Sequence, residues 1–156
     1  MKYILSTITL VLAIVGFSTV SYAQAPKTPV VAPAPTLFDT TANAPLSVRK
    51  QFVETNLRDL LSRLSDVHTR VQVASARLKT NSIDTISADL ALTTAQTALT
   101  TAKTHLDTFT ATPVDEKPAT VTTLRTQAKL AEDNLKIAHA SIIKSLETLK
   151  ITLQAQ

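Results

Sequence analysis

The sequence predicts an all-α protein: an elongated antiparallel three-helix bundle of coiled-coil hairpins, preceded by a signal peptide and a proline-rich spacer. Three observations lead to this fold class. The 156 residues include only one Gly, which is too few for a β protein rich in hairpins. Five of the seven prolines fall between residues 26 and 45. Beyond residue 45, apolar residues recur at alternating spacings of three and four over three long segments, as in bundle helices.

Residues 1–23 have the pattern of an export signal. Lys2 provides a basic start, an apolar run follows, and Ser21 and Ala23 place small residues at the two positions that signal peptidase reads. We therefore predict cleavage after Ala23 and a location outside the cytoplasm, either periplasmic or at the cell surface and beyond. The alternative is an uncleaved anchor, because the apolar run is close to the shortest membrane-spanning helix of about 17 residues.

Residues 24–45 form the predicted spacer. Proline at this density prevents helix and favours extended polyproline II, so we expect a disordered, semi-rigid tether. A partner that recognises proline-rich segments is the alternative. The sequence leaves open whether the threonines carry O-linked sugar.

The bundle is predicted for residues 46–156, and its first helix for about 46–80. Glu54 stands four residues before Arg58, and such acid–base spacing is typical of a solvated face rather than of a catalytic carboxylate array. On the opposite side, spacings of four and three alternate without a break from Val53 onward. The predicted apolar seam consists of Leu46, Val53, Leu57, Leu60, Leu64, Val67, Val71, Ala74 and Leu78.

The first turn is predicted at residues 79–85. Asn81 suits the left-handed position just past a helix end, which Gly usually fills. Asp84 suits the N-cap of the helix that follows, because its carboxylate can accept a hydrogen bond from an unpaired backbone N–H. A tight helical hairpin is expected.

The second helix is expected at about 85–110. Ile83, Ile86 and Leu90 fall on a different side from its seam, which predicts a middle helix that contacts neighbours on two faces. The predicted seam consists of Ala88, Leu92, Ala95, Leu99, Ala102, Leu106 and Phe109.

A second break is predicted near residues 111–117. Pro113 ends one helix, Asp115 or a neighbour caps the next, and Pro118 falls in a first turn, where a missing N–H is tolerated. The third helix is expected at about 117–153, antiparallel to the second because the loop is short. Its seam consists of Val121, Leu124, Ala128, Ala131, Leu135, Ala138, Ile142, Ser145 and Leu149.

Alanine and threonine are unusually frequent in the second helix. Small seam residues such as Ala95 and Ala102 predict helix axes that approach closely. Most threonines between 93 and 108 fall off the seam, which predicts a solvent-facing side. Two alternatives are an uncharged face that contacts a wall polymer or glycan, and a threonine-lined interface with another subunit.

The composition excludes several kinds of chemistry. The chain has no Cys, so a disulfide scaffold, a thiol nucleophile and a cysteine-ligated metal are excluded. A net charge of +4 with interspersed signs gives no basic face for nucleic acid. No G-x-S-x-G, zinc-protease or phosphate-loop motif is present. The sequence therefore predicts a protein that is not an enzyme and has no cofactor.

The three histidines fall one on each predicted helix, which raises the possibility of a shared metal site. Counted from the turns, His68, His105 and His139 lie at levels that differ by roughly 12 Å at 1.5 Å per residue, too far for one ion. We therefore predict no metal site. Each histidine is expected at the rim of the seam.

The hairpin segment from Leu78 to Thr85, with the Ala and Leu seam after it, resembles a loose group of uncharacterised exported bacterial proteins. These proteins are helical and rich in Ala, Leu and Lys, and their hairpin carries a Gly where this chain has Asn81. The segment from Leu124 to Lys150 is similar too. The resemblance covers about residues 50–150 and implies no activity.

Two functional hypotheses follow. The first is an exported, non-enzymatic structural or interaction module of the bacterial cell envelope, with a protein or cell-wall partner and no stable membrane span after cleavage. Self-association is also possible. The alternative is an envelope chaperone or stress protein that binds unfolded chains on an apolar bundle face.

Overall fold

The computed structural model describes Phe38 and residues 44–155. The predicted signal peptide and most of the predicted spacer lie outside the described residues. The described residues all belong to one compact unit, Pro35–Gln156.

Three helices make up this unit: α1 (Leu46–Thr80), α2 (Ile86–Ala111) and α3 (Pro118–Gln154). At 1.5 Å per residue they are about 53, 39 and 56 Å long. All three pack against one another, and residues 44–155 contain no strand. The predicted all-α class is confirmed, and each helix begins and ends within one residue of its predicted position.

The contacts between α1 and α2 establish that these helices are antiparallel. Arg58 of α1 lies beside Asp107 of α2, with Nη1 and Oδ1 3.9 Å apart. Further along α1, Ser75 donates a hydrogen bond to Asp89, at the other end of α2. As the residue number rises in one helix it falls in the other, as a short turn between the two requires.

The closest helix pair is α2 with α3. Both helices bury many alanines, and small side chains let backbones approach more closely than Leu side chains would. The predicted close approach is thus observed. The buried alanines of these two helices are Ala88, Ala91, Ala95, Ala98 and Ala102 in α2, and Ala128, Ala131 and Ala138 in α3.

The core side of α1 differs from the predicted seam in its second half. His68 (5% exposed) and Ser75 (1%) are buried, whereas Val67 and Ala74 are only half-buried. The prediction of a rim position for His68 was wrong. The next buried residue after Leu64 is therefore His68, four positions on, and not Val67, three positions on. His68 and Ser75 can be buried because their polar side chains form hydrogen bonds with α2.

The first turn uses the predicted residues in different roles. Asn81 has a right-handed φ of −97°, and the left-handed residue is Ser82, with φ 60°. Asn81 instead closes the end of α1 through its side chain, since Nδ2 donates to the Arg77 carbonyl at 3.0 Å. Asp84 accepts a hydrogen bond from the Ile86 N–H at 2.9 Å, but the N-cap position itself belongs to Thr85.

The second turn follows the same scheme. Thr112, before Pro113, is extended with ψ 125°, which is the conformation that a following proline imposes. Asp115 accepts a hydrogen bond from the Lys117 N–H at 3.2 Å, although Lys117 occupies the N-cap position. Pro118 is the first residue of α3, where no N–H is needed.

The side of α2 that carries Ile86 and Leu90 does not contact a neighbouring helix. Ile86 is 73% exposed and Leu90 is 69% exposed, so their predicted burial was wrong. Only Ile83, in the turn, is buried. Ala91 and Ala98, which are not in the predicted seam, are buried instead, and the sequence does not distinguish them from surface alanines.

A residue of the predicted spacer belongs to the core. Phe38 is fully buried, and its ring meets that of Phe109 edge-on, with centroids 6.4 Å apart. The Arg49 guanidinium lies 4.3 Å from the Phe38 ring centroid and donates to the Phe38 carbonyl at 3.1 Å. The aromatic and cation–π contacts therefore fix the chain to the bundle eight residues before α1 begins.

Candidate functional site: polar contacts between α1 and α2

The contact between α1 and α2 contains most of the side chains that could carry chemistry. It has three polar groups along its length: a carboxylate cluster at each end and His68 between them. Each of these groups makes contacts between or next to the two helices.

Asp89 is the centre of the first cluster, next to the hairpin turn. Its Oδ1 accepts from the Ser75 hydroxyl at 2.6 Å, and its Oδ2 accepts from Thr85 at 3.2 Å and from the Lys79 ammonium at 2.5 Å. Burial raises the pKa of Asp89, but hydrogen bonds from Lys79, Ser75 and Thr85 and the charge of Lys79 outweigh burial and lower the pKa below its ordinary value. Asp89 is held as an anion that ties the end of α1 to the start of α2.

Glu54 is the centre of the second cluster, at the far end of α2. Its Oε1 accepts from Thr110 at 2.9 Å and from Arg58 Nε at 3.0 Å. Burial raises the pKa of Glu54, yet the hydrogen bonds from Thr110 and Arg58, with the charges of Arg58 and Lys50, lower it overall. Lys50 also donates to the carbonyls of Thr110 and Thr112, at 2.7 and 2.6 Å, and so closes the C-terminus of α2.

His68 lies between these clusters. Its Nε2 is 3.1 Å from the backbone carbonyl of Leu92, and because a carbonyl oxygen only accepts, the hydrogen must be on Nε2. A buried imidazole that donates to a helix backbone is a positioning contact. The geometry does not favour a general base there, because the ring is nearly inaccessible.

A groove of about 540 Å³ runs beside these residues on the surface between α1 and α2. Its walls carry Gln, Thr, Lys and Asp side chains together with His68. Since Asp89 and Lys79 pair with each other, the charges of the groove are already neutralised. Its lining residues are His68, Gln72, Ala76, Lys79, Asp89, Leu92, Thr93, Gln96 and Thr97.

The structure does not bring the three histidines together. His68 contacts Leu92, whereas the Nδ1 of His105 pairs with Gln127 Oε1 at 2.9 Å across the α2–α3 contact, and His139 lies half-buried on α3. Within Phe38 and residues 44–155, no group of three or more His, Asp or Glu is placed to hold a metal ion.

The residues predicted from the sequence and those that form this site are different. Asn81 and Asp84 shape the first turn, and Pro113 and Asp115 shape the second. Asp89 was not among the predicted residues, although one signal for it is present in the sequence. Asp89 is an acid in the first turn of α2, where its negative charge interacts favourably with the helix dipole. It also follows the basic last turn of α1 across a short connection.

The chain was compared with protein-family models, curated proteins and solved structures, and none matched it. The resemblance of residues 50–150 to exported helical proteins therefore stays a prediction. Of the three described helices, none combines the length and apolar character needed to cross a membrane.

We expect Asp89→Asn to lower the free energy of unfolding by about 1–2 kcal/mol near neutral pH, because a charged hydrogen-bond acceptor is lost. A carboxyl group whose pKa is lowered in the folded state stabilises the fold above its ordinary unfolded pKa of about 3.9, and this stabilisation is lost as the pH falls through the folded value. The deficit of the variant should therefore shrink below about pH 4. Urea unfolding measured across this pH range checks both effects.

The matched control is Asp66→Asn, at an exposed position of α1. This variant should stay within about 0.5 kcal/mol of the parent at neutral pH. An Asp89→Asn deficit that is the same in acid as at neutral pH would show that the loss does not come from the carboxylate charge.

Proposed function

We propose that the chain is an exported, non-enzymatic structural or interaction module of the bacterial cell envelope. The observation that supports this most is the use of its ionisable groups. Three ionisable side chains form hydrogen bonds that connect α1 and α2. They are those of Asp89, Glu54 and His68. Side chains committed in this way stiffen a bundle, and such a bundle can present its outer helix faces to a partner.

The predicted export signal and spacer supply the location and the tether. In the proposal, residues 1–23 direct export, and the proline-rich segment keeps the bundle at a distance from the site of attachment. The buried Phe38 supports a shorter free tether than the proline pattern alone suggests, because the chain is already held to the bundle at that residue.

A second candidate function is an envelope chaperone that binds unfolded chains. Exposed large apolar side chains on all three helices favour it, because an unfolded chain binds through apolar contacts. They include Val48, Phe52, Val73, Ile86, Leu90, Val114, Leu130, Ile137 and Ile151.

Fractionation of bacteria that produce the full chain with a C-terminal tag tests the location. We expect the tag outside the cytoplasm and a new N-terminus at Gln24, determined by mass spectrometry. Ala23→Asp is the matched variant, because a charged residue at the position before the cut blocks signal peptidase. It should be exported but keep residues 1–23.

Full-length parent protein in the cytoplasm would contradict the proposal. Export with residues 1–23 retained in the parent would instead support the anchored form and overturn the predicted cleavage. If the exported chain slows the aggregation of a denatured client protein, the chaperone becomes the better description.

A further inference from the structure

His68 has a second ring nitrogen that the fold does not use. Its Nε2 donates to the Leu92 carbonyl at 3.1 Å, which leaves Nδ1 with a lone pair and no hydrogen. Within Phe38 and residues 44–155, Nδ1 has no hydrogen-bond partner, yet it remains in contact with solvent. Since the ring is otherwise buried and lines the groove between α1 and α2, a donor reaches Nδ1 through this groove.

The α2 wall of the groove adds two acceptors of the same kind. The Thr93 hydroxyl donates to the Asp89 carbonyl at 3.0 Å, and the Thr97 hydroxyl donates to the Thr93 carbonyl at 3.1 Å. Because each hydroxyl hydrogen is already used within α2, only the oxygen lone pairs of these side chains are left for a ligand. We call His68 Nδ1 and the Oγ1 atoms of Thr93 and Thr97 the acceptor set.

The α1 wall carries a group that can both donate and accept. Gln72 lies one turn after His68 and is exposed, and its side-chain amide has no partner among the residues that the structure describes. An amide of this kind has two N–H donors and one acceptor oxygen. A ligand in the groove must therefore donate several hydrogens to the acceptor set, whereas toward Gln72 it can donate or accept.

The charges at one end of the groove disfavour an ionic ligand. Lys79 and Asp89 are the charged residues of its lining apart from His68, and they pair with each other. A cation would approach the Lys79 ammonium, and an anion would approach the Asp89 carboxylate and the lone pairs of the acceptor set. Neither ion would gain an unpaired opposite charge in exchange for its lost hydration. The lining thus favours an uncharged ligand with several donors.

We infer that this groove binds a neutral carbohydrate through its hydroxyl groups. A sugar ring is uncharged and carries several O–H groups, each of which can donate to the acceptor set and accept from Gln72. A peptide backbone fits less well, because each N–H comes with a carbonyl oxygen that the acceptor set cannot satisfy. The inference goes beyond the proposed function, since binding to the purified chain does not depend on where the chain is located.

The dimensions of the groove suit such a ligand. Its volume of about 540 Å³ lies within the range of about 300–1,000 Å³ for small-molecule sites. No Phe, Tyr or Trp ring is among its lining residues, so a sugar gains hydrogen bonds there but little stacking. We therefore expect weak binding, with a dissociation constant in the millimolar range.

An NMR titration tests the site with chain purified from bacteria that produce the full sequence. The probes are chitotriose and maltotriose, which are neutral trisaccharides, and the charged control is the polyamine spermidine. We expect at least one trisaccharide to shift the backbone amide signals of Thr93 and Thr97 and the ring signals of His68, with saturation at millimolar concentrations. Spermidine should leave these signals unchanged.

Two pairs of variants locate the binding. Thr97→Val removes one acceptor and keeps the side-chain shape, and Thr104→Val makes the same change at an exposed position of α2 outside the groove lining. We expect Thr97→Val to weaken binding about fivefold, as for one lost hydrogen bond, and Thr104→Val to have no effect. Ala76→Phe should abolish binding by filling the groove, whereas Ala140→Phe, at an exposed position of α3, should not.

Circular dichroism of each variant verifies that the helices are intact. The inference is overturned if neither trisaccharide gives a saturable shift up to its solubility limit, or if the shifts centre on residues outside the groove. Equal affinity of the Thr97→Val and Thr104→Val chains would also overturn it. So would tighter binding of spermidine, or of a proline-rich peptide, than of both sugars.

Discussion

Phe109→Ala should lower the free energy of unfolding by about 3–5 kcal/mol, the range for removing a fully buried aromatic ring. Phe109 is completely buried near the end of α2, and its ring is in edge-on contact with that of Phe38. Truncation therefore leaves a cavity and also removes the partner of the residue that fixes the N-terminal segment. Denaturant unfolding of the purified chain, followed by far-UV circular dichroism, measures the loss.

Phe52→Ala is the matched control, because the same substitution is made at a site that is 44% exposed. Its effect should be at most about 1 kcal/mol. A double-mutant cycle with Phe38→Ala isolates the ring contact, which is expected to be worth about 0.5–1.5 kcal/mol. If Phe109→Ala and Phe52→Ala destabilise equally, Phe109 is not a core residue.

The helices were predictable because their boundaries are encoded locally. Pro45 and Pro118 stand at the starts of α1 and α3, Pro113 follows the end of α2, and long apolar repeats leave little choice within the helices. The exact turn geometry was less predictable. Asn81 and Ser82 both tolerate several backbone conformations, and hydrogen bonds to the last carbonyls of α1 decide which one becomes left-handed.

The orientation of α1 could not be predicted from its own sequence. A seam that continues from Leu64 to Val67 and one that continues to His68 both satisfy helical spacing. The choice depends on α2, where the Leu92 carbonyl accepts a hydrogen bond from His68. Pairings between elements decide such cases, and apolar periodicity contains no information about them.

The same limit explains the error at Ile86 and Leu90. Hydrophobicity predicts burial of both residues, but only a third neighbour on that side of α2 could bury them, and within residues 44–155 no helix lies there. The spacing of apolar residues along one helix does not show which of its sides has a neighbour.

Ala138→Leu should cost about 1–3 kcal/mol of unfolding free energy, because three added carbon atoms do not fit at a fully buried position of a packed helix. Ala138 is fully buried, and the level of the His105–Gln127 pair places it close to Ala95, which is also fully buried. To admit a Leu side chain, the helices must separate, and the neighbouring alanine contacts are then lost as well.

Ala140→Leu provides the matched control for Ala138→Leu, since it makes the same change two residues away on the exposed side of α3. Helix propensity is nearly unaffected by this substitution, so the control should remain within about 0.5 kcal/mol of the parent. Thermal and urea unfolding of the two variants isolate the effect of packing from that of composition. Equal stability of the two variants would mean that the alanines do not set the distance between α2 and α3, and that a larger residue is accommodated at their contact.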